Sequence, residues 1–405
     1  MAARSDSTYR GKTSDFADRM VGVACALAIL VTTLLLSVLC QKGGLPSSCD
    51  FASYWATGQQ LVHHANPYDP GRMGELERTA GFMGHGSCYM RNPPWALPLV
   101  LPLGWLSPRA AVLPWSLLML AVLILSVRLL RPVLGLSGFQ LQLLGYCFPP
   151  ALHCVVVGQT SLFLLLGLVL FLRLHRTRPF WAGAALGLCM LKPHLFLPFG
   201  MVLLAWIVVS RGYRILAGGA VTLAAGSLLA LWLDPAAFSQ YLQWAHSSGI
   251  STQPVPCFGV MLRKLIDPGA QWLVFIPAAI ACCWALAYFW PRRHTWDWIE
   301  NGSLLTLVSL VAAPYSFLFD QGVAIPALLF AASRSTSRAM LAALATLYML
   351  VVIHPWIHWG PIAFFYSWLW QAPAWLVWFG IARARERSAR QEHPAPVAAY
   401  APTAG

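Results

Sequence analysis

The sequence predicts an all-α polytopic membrane protein, a bundle of about 12 transmembrane helices with a long first loop. Three observations predict this class. Hydrophobic residues make up 58% of the 405 residues and charged residues only 10%, whereas a soluble domain carries roughly 25% charged residues. Apolar runs recur along the chain at lengths suited to a bilayer. The 19 tryptophans are typical of rings that anchor helices at the membrane surface.

Each apolar run is a candidate span, because a crossing helix needs about 20 apolar residues and a bundle tolerates shorter or broken ones. The first run has no signal-peptide cleavage site after it, so we expect it to be retained. The candidate spans are 20–40, 110–130, 139–156, 160–174, 180–191, 194–210, 214–233, 270–290, 300–314, 322–333, 339–353 and 361–381.

The apolar segment 93–107 is the exception among these runs. It carries four prolines, each of which removes a helix hydrogen bond and blocks regular helix geometry. We therefore predict a re-entrant or surface-lying piece and not a full crossing.

The basic residues predict the orientation, since short cytoplasmic loops retain positive charge. With a cytoplasmic N-terminus, all but eight of the 27 Lys and Arg residues fall on the cytoplasmic side. The eight others are Lys42, Arg72, Arg78, Arg91, Arg109, Lys192, Arg263 and Lys264. This places loops 41–92 and 234–269 outside, with the helical domain over 19–383. The tails 1–18 and 384–405 are polar or rich in Ala and Pro, and we expect them to be disordered and cytoplasmic.

Charge and cysteine patterns argue against other classes of protein. The net charge of +13 comes from short clusters between apolar runs, which does not favour a nucleic-acid partner. The ten cysteines include no CxxC pair, so neither a metal site nor a cofactor is predicted. Cys49 and Cys88 both fall in the first loop, where a disulfide between them is possible.

Few carboxylates are candidates for chemistry. Asp69, Asp234 and Asp267 each precede a proline, a pattern that favours a turn or a helix cap. Asp50 directly follows the first apolar run, and an ionisable group at a membrane boundary is a functional candidate. A structural alternative stays open, because Asp50 could also cap an amphipathic interfacial helix with Phe51, Tyr54, Trp55 and Leu61 on one face.

Polar groups at breaks between apolar runs form a second set of candidates. Lys192 lies at a proline break with His194 beside it, where it could snorkel to water or hold an anionic head group. Asp320 lies at another break, where it could bind polar substrate groups or satisfy backbone amides. Gln159 lies in a Gly-Gln-Thr-Ser turn whose residues are also ordinary turn formers.

Taken together, these segments resemble glycosyltransferase family 87, the polyprenyl-phosphate-sugar-dependent mannosyltransferases of the GT-C superfamily. The resemblance covers about 45 to 330. Its marks are Asp50-Phe51, Tyr54-Trp55, Gly58, Asn66-Pro67-Tyr68, Pro93-Pro94, Pro102-Leu103, Gly158-Gln159, Lys192-Pro193, Pro314-Tyr315 and Asp320.

The resemblance implies a GT-C-type helical bundle that acts at the outer face of a bacterial inner membrane. Asp50 occupies the position of the proposed general base, Lys192 would lie near the donor phosphate, and Gln159 near the sugar or acceptor. Tyr54, His194 and Asp320 are further expected substrate-binding residues. Some family members carry a histidine near the position of Asp320, so its role here departs from the family pattern.

The chemistry implied by the resemblance agrees with these residue types. A sugar linked to a lipid phosphate has a good leaving group, so the reaction needs a base and a cation. The implied partners are a polyprenyl-phosphate sugar donor, a lipid or glycan acceptor and membrane lipids. A transporter or flippase of polyprenyl-linked sugars is the alternative, although no inverted repeat is visible in the sequence.

Overall fold

The computed structural model describes residues 49–82, 88–136, 139–247, 255–335, 337–354, 357 and 366–392. Over these ranges the chain consists of helices joined by turns and short irregular segments. The α-helices are α1 Cys49–Val62, α2 Pro70–Thr79, α3 Leu97–Val100, α4 Pro108–Leu134, α5 Phe139–Tyr146, α6 Pro149–Val157, α7 Ser161–Leu174, α8 Pro179–Leu186, α9 Leu197–Ser210, α10 Tyr213–Leu233, α11 Ala237–Ser247, α12 Phe258–Ile266, α13 Ile276–Phe289, α14 Glu300–Ala312, α15 Ile325–Arg334, α16 Arg338–Ile353 and α17 Gln371–Glu392. Short 3₁₀ turns are Pro94–Ala96, Leu101–Trp105, Cys189–Leu191, Pro193–Phe196, Gln271–Phe275, Trp290–Arg292, Leu318–Ala324 and Trp368–Trp370.

Several of these helices have the length and composition of membrane spans, which supports an all-α membrane protein. Within the described ranges, four are long and apolar enough to cross a bilayer: Pro108–Leu134, Pro193–Ser210, Tyr213–Leu233 and Gln271–Arg292. Shorter apolar helices are Ser161–Leu174, Pro179–Leu191, Glu300–Ala312 and Arg338–Ile353. The number of twelve spans remains a prediction, and the candidate span 20–40 lies outside the described residues.

The predicted span 139–156 is wrong as one continuous helix. α5 ends at Tyr146 and α6 starts at Pro149, because Pro149 and Pro150 supply no amide hydrogens to an upstream helix. Phe148, which precedes them, has extended backbone angles, as expected for a residue before proline.

The first helix is enclosed by protein on several sides, so it lacks the exposed polar face that the alternative of an amphipathic interfacial helix requires. The predicted apolar face is buried, but Ala56 and Thr57 on its other sides are also 0% exposed. A Cβ on Gly58 would lie 2.6 Å from the carbonyl oxygen of Val100, and one on Gly104 would lie 2.1 Å from the Gly58 oxygen. Glycines thus let α1 pack backbone to backbone on the proline-rich piece 94–105.

A second glycine contact joins α8 to α10. A Cβ on Gly183 would lie 1.8 Å from the Ile215 carbonyl oxygen, and one on Gly218 would lie 1.9 Å from the Phe180 oxygen. Small residues allow this close approach in helical membrane proteins. The contact fixes the position of α8, which leads directly to Lys192.

The three aspartates that precede prolines play the structural roles that the sequence predicts. Asp69 caps α2 by accepting from the amides of Gly71 and Arg72 at 2.9 and 3.1 Å. Asp234 and Asp267 each accept from an amide two residues ahead at 2.8 Å.

The carboxyl-terminal region differs from its prediction. α17 continues to Glu392, so 384–392 is helical and not disordered, whereas 393–405 and 1–18 lie outside the described residues. Arg383 pairs with Glu300 on α14 and with Glu386 on α17 itself, so the first of these contacts ties the charged end of this helix to the bundle.

In the first loop, Cys88 is disulfide-bonded. The side chain of Cys49 lies outside the described part of the chain, so the Cys49 to Cys88 pairing remains a prediction.

Candidate active site

Asp50 lies in the first turn of α1 and is partly buried. Burial raises the pKa of this carboxyl to about 6, while the positive charges of Lys192 and Arg91 oppose the rise and the negative charge of Asp320 adds to it. The interaction between two charges weakens as the distance between them increases. Asp50 therefore shares one neighbourhood with two cations from distant parts of the chain.

Tyr54 follows Asp50 by one helical turn, so the two side chains project from the same face of α1. The Tyr54 hydroxyl donates a hydrogen bond to Oε1 of Gln159 and lies 3.2 Å from the hydroxyl of Thr160. Burial, followed by the charge of Asp50, raises the pKa of Tyr54 well above 10.0. The phenol thus stays protonated and is a hydrogen-bond donor beside the carboxylate.

The turn between α6 and α7 positions Gln159. Gly158 ends α6 with a φ of +72°, a left-handed conformation that favours glycine. Trp115 fixes this turn by donating from Nε1 to the Gly158 oxygen at 2.6 Å. Gln159 Oε1 also accepts from the Thr160 amide at 2.8 Å, which leaves the amide nitrogen of Gln159 as the donor end of the side chain.

Lys192 and Asp320 form a buried ion pair. Lys192 Nζ lies 2.6 Å from Oδ1 of Asp320, and their side chains are 9% and 0% exposed. Ser161 bridges the two, since its hydroxyl accepts from Lys192 at 3.0 Å and donates to Asp320 at 2.6 Å. Asp320 Oδ2 accepts from the Phe317 amide at 2.9 Å. An ammonium has three N–H donors, and these partners take two of them.

Arg91 provides a second positive charge that acts on Asp50. Its guanidinium donates to the Tyr315 hydroxyl and lies 5.5 Å from the centre of that ring. The following Asn92 donates to the Leu191 oxygen at 2.9 Å, which ties the segment after Arg91 to the turn that carries Lys192.

His194 also packs against the Tyr315 ring, edge to face, with 5.7 Å between ring centres. Its Nε2 is buried and has no hydrogen-bond partner among the residues that the structure describes. A buried polar atom without a partner is uncommon in folded proteins, so this nitrogen is a candidate contact for a bound molecule.

The structure therefore brings the sequence-predicted residues into one region. Asp50 and Tyr54 lie one turn apart on α1, and Tyr54 is hydrogen-bonded to Gln159. Gln159 is two residues from Ser161, which contacts both Lys192 and Asp320. The sequence pattern alone did not single out Arg91 as a site residue. A signal was present, because Arg91 stands two residues before the proline-rich apolar piece, much as Lys192 stands directly before Pro193.

Within the described part of the chain, no three His, Cys, Asp or Glu side chains converge to form a metal site. The chemistry available from these residues is that of a carboxylate base, two cations and neutral hydrogen-bonding groups.

Comparison with known protein families gives a match. The family model described as glycosyltransferase family 87 matches residues 89–314, which is more than half of the chain and contains Arg91, Gln159, Lys192 and His194. Asp50, Tyr54 and Asp320 lie outside the matched range. No curated protein and no solved structure matches the chain.

Proposed function

The chain belongs to glycosyltransferase family 87. From that premise we propose that it transfers a hexose from a polyprenyl-phosphate donor to a hydroxyl group of a lipid or glycan acceptor, and that this hexose is mannose. The family establishes a glycosyltransferase. The donor, the sugar and the roles of individual residues are our proposal, as is a site on the outer face of a bacterial inner membrane.

Asp50 is the proposed general base. A base works best when its pKa lies near the operating pH, and burial raises the pKa of Asp50 to about 6. At neutral pH the carboxylate is therefore ionised and still basic enough to accept a proton. Ser53 donates to the main-chain oxygen of Asp50 at 2.9 Å, but no described residue donates to its carboxylate, so the two carboxylate oxygens are available to an acceptor hydroxyl.

The proposed reaction is a single displacement. Asp50 takes the proton of the acceptor hydroxyl as its oxygen attacks the anomeric carbon of the donor sugar. The bond between that carbon and the phosphate oxygen breaks, and polyprenyl phosphate leaves with the electron pair. One displacement inverts the anomeric configuration.

Two cations support departure of the phosphate. The charge of Lys192 is balanced by Asp320, so its contribution is the remaining N–H donor on a fixed ammonium. Arg91 adds a guanidinium, whose planar fork suits phosphate oxygens. Fixed donors aimed at developing negative charge lower a barrier without reorganisation.

Neutral groups complete the proposed site. The amide nitrogen of Gln159 and the unpartnered Nε2 of His194 are suited to sugar hydroxyls. Tyr54 holds Gln159 in place through its hydrogen bond. The observation that carries the whole proposal is the shared neighbourhood of Asp50 with Lys192 and Arg91.

The proposal is tested by Asp50→Asn and Asp50→Ala in purified protein, with transfer from polyprenyl-phosphate mannose as the readout. Loss of a general base costs about 10²- to 10⁴-fold in rate. Glu75→Gln is the matched control, because Glu75 is an exposed carboxylate of the same loop that pairs with Arg72. Transfer by Asp50→Asn at the parent rate would remove Asp50 as the base.

A further inference from the structure

A groove lies between α7 and α8, away from the candidate active site. Its volume is about 370 Å³, within the range of about 300 to 1,000 Å³ that small-molecule sites occupy. The lining residues are Leu170, Leu174, Arg178, Trp181, Ala184 and Ala185. An apolar floor with one cation at the rim matches the two parts of a phospholipid, a chain and a charged head group.

Small side chains create this groove. Ala184 and Ala185 stand on α8 opposite the leucines of α7, and protein interiors normally leave little space unfilled. α8 cannot move closer to α7, because the two helices already meet at Gly167, where a Cβ would lie 2.7 Å from the Ala185 oxygen. The space is therefore a fixed feature of the helix packing.

The rim carries hydrogen-bond donors suited to an anion. Arg178 is exposed, and among the described residues no acid or acceptor pairs with its guanidinium. Arg176, two residues earlier, differs in that it pairs with Asp297 at 2.5 Å. Trp181 is 61% exposed, and an exposed tryptophan beside an apolar surface is typical of the membrane interface.

The groove lies at the opposite end of the helix pair from the buried ion pair. Ser161 begins α7 and contacts Lys192, whereas Leu170 is nine residues further along α7, or about 14 Å at 1.5 Å per residue. The predicted orientation places Arg178 at the cytoplasmic surface, where anionic lipids are concentrated.

We propose that this groove binds an anionic phospholipid, with one acyl chain along the leucines and alanines and the phosphate between Arg178 and Trp181. Charge complementarity favours an anionic over a zwitterionic head group. The proposal does not depend on the sugar-transfer reaction.

The test is native mass spectrometry of the full-length, delipidated protein titrated with dioleoyl phosphatidylglycerol or dioleoyl phosphatidylcholine. We expect the parent to bind phosphatidylglycerol more tightly. Arg178→Gln should weaken that binding about fivefold, since one basic residue at an anionic membrane surface contributes about 1 kcal/mol. Ala184→Leu, which fills the groove, should weaken binding of both lipids.

Arg214→Gln is the matched control, because Arg214 is exposed at the start of α10 and does not line the groove. Equal binding of phosphatidylglycerol by the parent, Arg178→Gln and Ala184→Leu would overturn the proposal. Competition by inorganic phosphate alone at similar concentrations would show a phosphate site and not a lipid site. Binding of polyprenyl phosphate that Ala184→Leu blocks and Arg178→Gln leaves unchanged would assign the groove to the donor chain, which also contradicts the proposal.

Discussion

Lys192 and Asp320 are 128 residues apart in the sequence and form an ion pair of 2.6 Å in the interior of the bundle. Taking two charges out of water costs several kcal/mol for each, and their attraction must offset that cost. Burial of either charge is therefore tolerated only when the other charge is present. The pair fixes the ammonium in one position, with Ser161 as a second anchor.

The first prediction concerns this pair. Asp320→Asn keeps the shape but leaves Lys192 as an uncompensated buried charge, so it should lower stability by about 3 to 5 kcal/mol. Lys192→Met should have a similar cost, and the double variant should cost much less than the sum of the two. Thermal unfolding of the detergent-solubilised proteins measures the loss of stability in each single variant and in the double variant. Additive effects would show that the two groups do not interact.

The second prediction is a pH dependence of activity. Because burial raises the pKa of Asp50 to about 6 and the base must be ionised, kcat/KM should rise with pH up to about 6 and then level off. Arg91 lowers the pKa of Asp50, so Arg91→Gln should shift this limb to higher pH. Initial rates of sugar transfer between pH 4.5 and 8 give the profile. A limb that does not move in Arg91→Gln would contradict the electrostatic link.

The third prediction concerns the glycine contact of α1. Gly58→Ala places a Cβ 2.6 Å from the Val100 oxygen, and such overpacking costs about 1 to 3 kcal/mol. Gly200→Ala is the control, since a Cβ there meets nothing within 4 Å and alanine favours the helix. We expect a lower unfolding temperature for Gly58→Ala only. Equal temperatures for both variants would argue against the close packing of α1.

The fourth prediction concerns Glu77, whose side chain is buried in the first loop. Burial raises its pKa from 4.5 to about 8, although the Cys88 amide donates to it at 2.7 Å. The folded state holds the proton more tightly than the unfolded state, so this group's contribution to stability falls as pH rises from about 4.5 to about 8. Above pH 8 the loss is complete.

Glu77→Gln removes this titration and should flatten the pH dependence of the unfolding temperature between pH 5 and 9. Glu75→Gln, at an exposed position of the same helix, serves as the comparison. If Glu77→Gln and the parent show the same pH dependence, the buried carboxyl is not the group responsible.

Local sequence features predicted much of the fold. Proline placement accounts for the broken segment 93–107 and for the Asp69, Asp234 and Asp267 turns, because these effects act within a few residues. The prediction failed at 139–156, where a continuous apolar run indicated one helix although Pro149 and Pro150 interrupt it. Apolar content alone does not distinguish one long helix from two short ones.

The site was only partly predictable for a different reason. Asp50, Gln159 and Lys192 were recognisable one by one, since each is a polar group at a break between apolar runs. The pairing of Lys192 with Asp320 and the approach of Arg91 to Asp50 depend on how distant helices pack. No local pattern encodes that packing, and the burial of α1 on both its apolar and its polar sides was missed for the same reason.

The seam where Gly183 and Gly218 meet their neighbours has a mechanical consequence. Two helices whose main chains touch can neither rotate nor slide past each other without a steric collision. The pair α8 and α10, which leads to Lys192, is therefore expected to move as one rigid body. Any conformational change that admits a bulky substrate or releases polyprenyl phosphate must then occur in other parts of the molecule. A rocking motion of the kind that transporters use would have to leave the contact between α8 and α10 intact.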